Sequence, residues 1–502
     1  MAGLNTRRPH PPGTYPVVVV GSGPGGLQVA HSLSRLGIEA AVISEDPEPA
    51  GMFRRFPLFD RLITWTKPYA PAEAGAREYE WYDWNSLLAD DPAARAVMPE
   101  LMDGTSYFPS RREMESGLKL FAERTDIPIR YGCRWEGTRR ADDEDAFVLE
   151  TGDGEFRCSV AVFAVGMTVP WKPVIPGLDE VPHYVETREP KEYAGRRVVI
   201  VGKRNSGFEI ADGLLPWARQ VILASPRPAR VSVVVRSTAA ARARYLQPYE
   251  DHVLGGGTFV LDAAIERVER SGTGWRVHAS GTTRPGSLVL DADDVIAATG
   301  FRTPLLDLPE LGVATFYQGG RLPAQTPFWE SPTVPGVYFA GSTTQGSLGL
   351  RKYGMPSNSA AVHGFRYNAR ILARHIAERH FGAAPQGHGL EEAEVLPHLL
   401  RELTAAPELW NQQSYLARVV TFEREHGILD RGIVPLAHFV DERGPDAVAV
   451  AVETDPDGDI HPAVYVRREG SVREHQLPSD PLNRFDGEEH RRELGGLLAG
   501  LI

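Results

Sequence analysis

Two stretches of this chain repeat one pattern: an unbroken β-branched run, a glycine-rich turn and a helix. The first is Val17-Val18-Val19-Val20, then Gly21-Ser22-Gly23-Pro24-Gly25-Gly26, then a helical stretch over 27–36 that Gly37 stops. The second is Val198-Val199-Ile200-Val201, then Gly202-Lys203-Arg204-Asn205-Ser206-Gly207, then a helix over 208–215. Continuous apolar runs of this kind suit parallel strands covered on both faces. Each unit closes on another apolar run, Ala41-Val42-Ile43 and Val221-Ile222-Leu223, which completes βαβ. The pattern predicts an α/β protein with two Rossmann-like dinucleotide-binding domains.

The glycines have a chemical purpose. A pyrophosphate must come close to the unpaired N–H groups and positive dipole end of a helix N-terminus, and a Cβ in the turn blocks that approach. Gly21, Gly23 and Gly26 match G-x-G-x-x-G in the required strand-turn-helix setting, with Ser22 and Pro24 between them. A tight turn without a ligand has the same local grammar, but the N-terminal position and the complete βαβ unit favour binding. The carboxylate that usually takes a ribose hydroxyl lies roughly 20 residues on. That position is Ser44, followed by Glu45, so either Glu45 reaches the ribose, or Ser44 makes a weaker bond, or Glu45 is a solvated loop charge. In the second motif Arg204 replaces the middle glycine, which points to a guanidinium covering the pyrophosphate. Lys203, Arg204, Arg227 and Arg230 gather at the nucleotide edge, with Asn205 and Ser206 opening the helix. Guanidinium forks suit a 2′-phosphate, which predicts NADPH over NADH.

Composition narrows the partners. At 502 residues and 42% hydrophobic, the chain supplies more than one core. Its 66 acidic side chains outnumber the 54 basic ones, which argues against nucleic acid and anionic membranes. No apolar run reaches membrane-spanning length, and the opening MAGLNTRRPHPPG lacks a secretory core, so a soluble cytoplasmic protein is expected. Cys133 and Cys158 form no Cys-x-x-Cys pair and read as small core residues. No metal is expected: there is no His-Glu-x-x-His, and in the Asp455–Asp459 loop the twelfth position is Val466, so a hairpin turn is the better reading. A helix over 361–380 presents Ala361, Phe365, Ala369, Leu372 and Ile376 on one face. Beyond it, a helix over 391–403 and strands over 447–452 and 463–466 read as a separate C-terminal α+β region.

Gly21-Ser22-Gly23-Pro24-Gly25-Gly26-Leu27, Asn205-Ser206-Gly207-Phe208-Glu209-Ile210-Ala211 and Ala298-Thr299-Gly300-Phe301 together resemble class B flavin-dependent monooxygenases, in which the Ala-Thr-Gly segment crosses between nucleotide domains. A related crossing is Ala164-Val165-Gly166. Phe53-Arg54-Arg55-Phe56-Pro57, Asp83-Trp84-Asn85-Ser86-Leu87-Leu88, Tyr107-Phe108-Pro109, His363-Gly364-Phe365-Arg366-Tyr367 and His461-Pro462-Ala463-Val464-Tyr465 are closer still to the FAD-dependent oxidoreductase domain-containing protein 2 family. Animal members are endoplasmic-reticulum flavoproteins. Without a signal peptide or retention tetrapeptide, a cytoplasmic bacterial-type member is expected here.

The resemblance implies an FAD-binding domain in two parts, 1–168 and 301–384, an inserted NADPH-binding domain at 169–300, and the C-terminal region at 385–502. FAD would lie over Gly21, Gly23 and Gly26, with Gly166 and Gly300 at the crossings. Gly341-Ser342 would approach the flavin side, Ser342 standing where relatives usually have Asp. The expected activity is NADPH-dependent oxygenation of a small nucleophile, such as an amine or amino acid, through a flavin C4a-(hydro)peroxide, with O2 as co-substrate. Lys67 and Asn85 are the flavin-pocket candidates, and Asn85 reads equally as a helix cap. Arg302, Arg351 and Lys352 are candidates for a substrate carboxylate. A quinone or disulfide reductase and a flavin-bound interaction protein are the competing readings. Family habit suggests a homodimer.

Overall fold

The computed structural model describes residues 8–55, 61–70, 72–73, 76–142, 146–229, 256–316, 320–354, 357–384, 387–455 and 457–501. Its contacts divide the chain into two compact units. Met1–Gly51, Thr64–Gly166 and Thr303–Ile502 form the first; Met52–Ile63 and Met167–Arg302 form the second.

The first unit opens with β1 (Gly13–Val20), β2 (Ala40–Ile43), β3 (Ile129–Arg130), β4 (Trp135–Arg140), β5 (Phe147–Thr151) and β6 (Gly154–Phe163), in the order β3-β2-β1-β6-β5-β4. β1 is parallel to both β2 and β6, in register from Val17 to Val20 with Ala40 to Ile43 on one side and Val160 to Phe163 on the other. Enclosure on both sides is what the Val17-Val20 run requires, and all four valines are buried.

The second unit's sheet contains β8 (Arg197–Val201), β9 (Gln220–Ser225), β10 (Thr258–Ser271), β11 (Gly274–Gly281), β12 (Ser287–Ala292) and β13 (Asp294–Ala297), ordered β12-β11-β10-β9-β8-β13. Its β10, β9, β8 and β13 are parallel, and β11 and β12 add an antiparallel hairpin. The short strands β7 (Val169–Pro170) and β14 (Phe301–Arg302) pair antiparallel where the chain enters and leaves this unit.

Back in the first unit, β15 (Thr315–Phe316) pairs with β16 (Leu322–Pro323), and β17 (Val337–Phe339) joins the first sheet beside β6. A separate antiparallel sheet follows: β18 (His388–Gly389), β19 (Leu416–Glu423), β20 (Gly427–Pro435), β21 (Asp446–Thr454), β22 (Ile460–Arg468) and β23 (Ser471–Gln476), ordered β18-β20-β19-β21-β22-β23. The β21-β22 turn is held by Asp455, whose Oδ1 accepts from the N–H groups of Asp457, Gly458 and Asp459. That is a hairpin turn, and among the described residues no group of three His, Cys, Asp or Glu is placed to hold a metal ion. Nor, among them, is any helix long and apolar enough to cross a membrane.

The Val362–Phe381 helix runs through the first unit's core and carries His375 flat against Phe328, ring centroids 4.1 Å apart, with the rings of His438 and Tyr338 edge-on nearby. Burial, reinforced by Arg379, His438 and His380, pulls the His375 pKa down to about 4. The unfolded chain therefore binds a proton more readily than the folded one. This histidine's contribution is intact above about pH 6.5 and is lost as pH falls toward 4, by at most about 3 kcal/mol. Urea unfolding at about pH 7 and about pH 4.5 should show His375→Phe losing less stability on acidification than the wild type. Equal losses would remove His375 from the acid response.

Candidate functional site

The first glycine turn is shaped by close approach. Gly21 has φ +110°, and a Cβ there would sit 2.6 Å from the Ala164 carbonyl oxygen. A Cβ on Gly26 would meet the Gly21 carbonyl oxygen at 1.9 Å, so this glycine lets the Pro24–Arg35 helix close onto β1. Gly23 differs: the nearest atom to a Cβ there would be the Gly51 Cα, at 3.9 Å. Gly23 is the helix N-cap without a capping side chain, and Pro24 fills the first turn. Open backbone in front of an uncapped N-terminus is what a dinucleotide pyrophosphate needs, so these residues fit the cofactor. By contrast the Arg111–Arg124 helix closes its own end with a Ser110/Glu113 capping box.

Ser22 and Ser44 are both buried. The Ser22 hydroxyl donates to Ser44 Oγ at 2.8 Å, and Ser44 Oγ also accepts from the Asp46 N–H. Ser44 thus ties the turn to the end of β2. Glu45 points outward and faces the exposed Arg134 at 3.9 Å, a contact worth little. The buried acidic side chain after β2 is Asp46, a residue the spacing rule had passed over.

Gly25 lies outside the G-x-G-x-x-G pattern, yet its Cβ would stand 2.4 Å from the Gly341 Cα. Two glycine turns from separate chain segments of the unit touch here. Gly341, at φ +70°, opens a 3-10 turn to Gly346 that includes Ser342, whose carbonyl accepts from the Gln345 amide. The N-cap of the Val362–Phe381 helix, Ala361, also carries no capping side chain.

No helix starts at Asp83; the segment is a turn. Asp83 Oδ1 accepts from the N–H groups of Asn85 and Ser86 and from the Thr66 hydroxyl. Asn85 is buried, its Oδ1 accepting from Thr64 at 2.5 Å and its Nδ2 donating to Thr66 at 3.0 Å. Asp83, rather than Asn85, therefore closes this turn. Trp65, Trp84 and His363 form an aromatic row beside this network, with centroids 4.7 and 4.2 Å apart. Lys67 is exposed, its ammonium 5.6 Å from the Trp65 ring and 5.4 Å from the Tyr82 ring. Arg366 holds the segment in place: it is 1% exposed and donates to the carbonyls of Glu80, Asp83 and Ser86 and to Tyr367 Oη.

Arg351 lies on the loop after Gly346 with φ +48°. Lys352, expected to meet a substrate carboxylate, is committed inside the protein. Its ammonium bonds Glu453, Glu474 and Tyr465 Oη, because Glu453 is a fully buried carboxylate that needs a cation.

In the second unit Gly202 has φ +124°; a Cβ on it would meet the Ala298 carbonyl oxygen at 2.3 Å, and one on Gly207 the Gly202 carbonyl oxygen at 2.4 Å. The Asn205–Leu214 helix again starts without a capping side chain, at Arg204, which is exposed. Asn205 Oδ1 is buried without a hydrogen-bond partner, an orphaned acceptor at the helix start, and Ser206 is half-buried beside it. Open turn and orphaned acceptor fit a nucleotide. Lys203 is not at this edge: it is buried, bonding Asp262 and the Leu261 carbonyl of β10, so opposite charge has drawn it inward. Arg227 is exposed just past β9, and Arg230 lies outside the described residues. Gly166 and Gly300 are both left-handed, at φ +63° and +93°. Gly300 accepts from the Trp171 N–H at 3.0 Å. Arg302 follows in β14 with a buried, unpartnered Nε.

Both cysteines are buried and unbridged. Burial raises both thiol pKa values, that of Cys158 to about 12, so neither is poised as a thiolate.

Residues 18–341 match the model of the pyridine nucleotide-disulphide oxidoreductase family, and the chain belongs to that family. It has the two-dinucleotide flavoprotein fold. Within that class it is similar to mouse FAD-dependent oxidoreductase domain-containing protein 2, 26% identical over 80% of this chain, which spans 64% of that relative's length. Two solved structures share the fold. Bacillithiol disulfide reductase from Staphylococcus aureus has a TM-score of 0.56 at 15% identity, covering 73% of this chain and 99% of that one. A flavin-containing monooxygenase from Stenotrophomonas maltophilia has a TM-score of 0.54 at 20% identity, covering 74% and 99%.

Proposed function

We propose that this protein is an FAD- and NADPH-dependent monooxygenase acting on a small nucleophilic substrate such as an amine or amino acid, with O2 as co-substrate. The observation that carries the reading is the pairing of two open dinucleotide turns with the burial of both cysteine thiols. A flavin reductase that passes electrons through protein thiols needs an accessible pair, and Cys133 and Cys158 are each 1% exposed. When bound, the flavin supplies the redox and oxygen chemistry; the protein binds, orients and excludes water. Gly21, Gly23 and Gly26 take the FAD pyrophosphate, with Asp46 the buried acid nearest the expected ribose position. Gly341 and Ser342 approach the flavin. Thr64, Thr66 and Asp83 Oδ1 hold Asn85 in a connected hydrogen-bond set, so Asn85 offers a fixed amide in that pocket. Asn205 and Ser206 receive the second nucleotide, and exposed Arg204 and Arg227 select a 2′-phosphate. Arg351, on the loop after the 341 turn, is the group we assign to a substrate carboxylate.

The test is stopped-flow reoxidation of the NADPH-reduced protein in aerated buffer, with NADH as comparison. A transient species between the reduced and oxidised flavin spectra, decaying faster when one amine is added, is the expected result. Direct reoxidation without a transient, unaffected by any amine, would replace the monooxygenase with a reductase.

A further inference from the structure

We propose that Lys352 is a positioning residue for the flavin turn, through which the C-terminal sheet serves as a wall of the cofactor site. The functional half of this inference rests on the FAD reading above.

The loop leaving the Gly341–Gly346 turn is held in a conformation it would not keep alone. Gly349, Arg351 and Tyr353 are all left-handed, at φ +59°, +48° and +57°. The two that are not glycine each cost roughly 1 kcal/mol or more, so surrounding contacts must fix them. Those contacts come from the C-terminal region. The Tyr415 ring fills the space a Gly349 Cβ would take, with Cδ2 2.6 Å from it, and the buried Tyr415 hydroxyl accepts from Trp329 Nε1 at 2.9 Å. Leu350 packs into the apolar core formed by β19, β21 and β22. Between Arg351 and Tyr353, Lys352 sends its ammonium to Glu453 of β21, Tyr465 of β22 and Glu474 of β23.

The Glu453 end of the anchor is buried, and the Glu474 end is exposed. Glu453 has no solvent exposure and also accepts from the Tyr465 hydroxyl at 2.6 Å, while His461 stands 4.0 Å away on the paired strand. Burial works against the Lys352 charge, but the hydrogen bonds it donates to Glu453 and Glu474 outweigh it and raise its pKa. A second tie holds the turn itself. Asn368 donates to the Thr344 hydroxyl at 3.1 Å and to Ser359, and Gln412 donates to Asn368 Oδ1 at 2.8 Å. The turn touching Gly25 is thus tied to Gln412 through Asn368, and the loop that leaves it is held by residues 415, 453, 465 and 474. This explains Tyr465 in the His461-Pro462-Ala463-Val464-Tyr465 motif, which the flavin chemistry leaves without a role.

The experiment compares wild type, Lys352→Met and the conservative Lys352→Arg in the full chain, with two readouts. The first is tryptic cleavage after Arg351 in FAD-stripped protein, which needs no cofactor. The second is FAD affinity by titration well below the melting temperature, with NADP+ affinity as the internal control. Lys352→Met is expected to speed cleavage and weaken FAD binding, each at least about tenfold. NADP+ affinity should stay unchanged, and Lys352→Arg should restore FAD binding to within about threefold. Faster cleavage with wild-type FAD affinity would overturn the positioning role, and unchanged cleavage would overturn the anchor. A wild type that binds no FAD would sink the cofactor reading, while the cleavage arm still reports on the anchor. If Lys352→Met does not fold, Lys352→Gln takes its place.

Discussion

Replacing Gly25 with alanine is expected to weaken FAD binding by roughly a hundredfold, about 3 kcal/mol. The added Cβ would lie 2.4 Å from the Gly341 Cα and 2.6 Å from its nitrogen, and both are backbone atoms. Rotating a side chain does not relieve the clash. Either the first turn of the Pro24–Arg35 helix or the 341 turn must move, and each is a face of the cofactor site. Gly37→Ala is the control: it too has a left-handed backbone, φ +73°, but nothing lies within 4 Å of the new Cβ. It should cost about 1–2 kcal/mol of stability and leave FAD affinity alone. Fluorescence titration of FAD, with urea unfolding beside it, separates the two variants. If Gly25→Ala binds FAD like the wild type, the contact between the two turns has no part in the site.

Gly25 also shows where reading the sequence stops. Within G-x-G-x-x-G, the Gly26–Gly21 contact that lets the helix meet its own strand lies within a few residues, so the local spacing marks it. The Gly25–Gly341 approach joins segments more than 300 positions apart, and no local pattern encodes it. Strand-helix alternation was legible for the same local reason. Val17–Val20 and Val198–Val201 lie in the parallel β1 and β8, and the helix expected over 361–380 spans Val362–Phe381. Charged side chains were the hardest to place. Lys203 and Lys352 looked like ligands of an anion because they sit on loops beside a glycine turn. Their partners, Asp262, Glu453 and Glu474, come from distant strands, and a buried carboxylate such as Glu453 attracts a cation more strongly than a solvated site does. Asn85 looked like a helix cap because Asp83-Trp84-Asn85-Ser86 has cap chemistry. The capping bonds exist, but they close a turn on Thr66, and the chain goes on without a helix.

Arg366→Met is expected to destabilise the first unit by about 3–5 kcal/mol and to release the Asn85 segment with it. The guanidinium spans the carbonyls of Glu80, Asp83 and Ser86, a geometry that a lysine's single nitrogen does not reproduce, so Arg366→Lys should recover little. The loss should also depend on pH. Burial raises the Glu80 carboxyl pKa, helped by Glu408, and Arg366 works against that rise; the Tyr367 hydroxyl donates to the same carboxylate at 2.8 Å. Without the guanidinium the pKa climbs further, so the folded variant prefers Glu80 protonated. Stability that depends on a raised carboxyl pKa is present at low pH and is lost as pH rises through the folded value. The gap between variant and wild type should therefore widen from mildly acidic to mildly alkaline buffer, and Glu80→Gln should remove most of that widening in the Arg366→Met background. Urea unfolding of the four proteins across that range decides the matter. A gap that stays constant with pH would mean that Arg366 acts only by tying down carbonyls, with no part in holding the Glu80 charge.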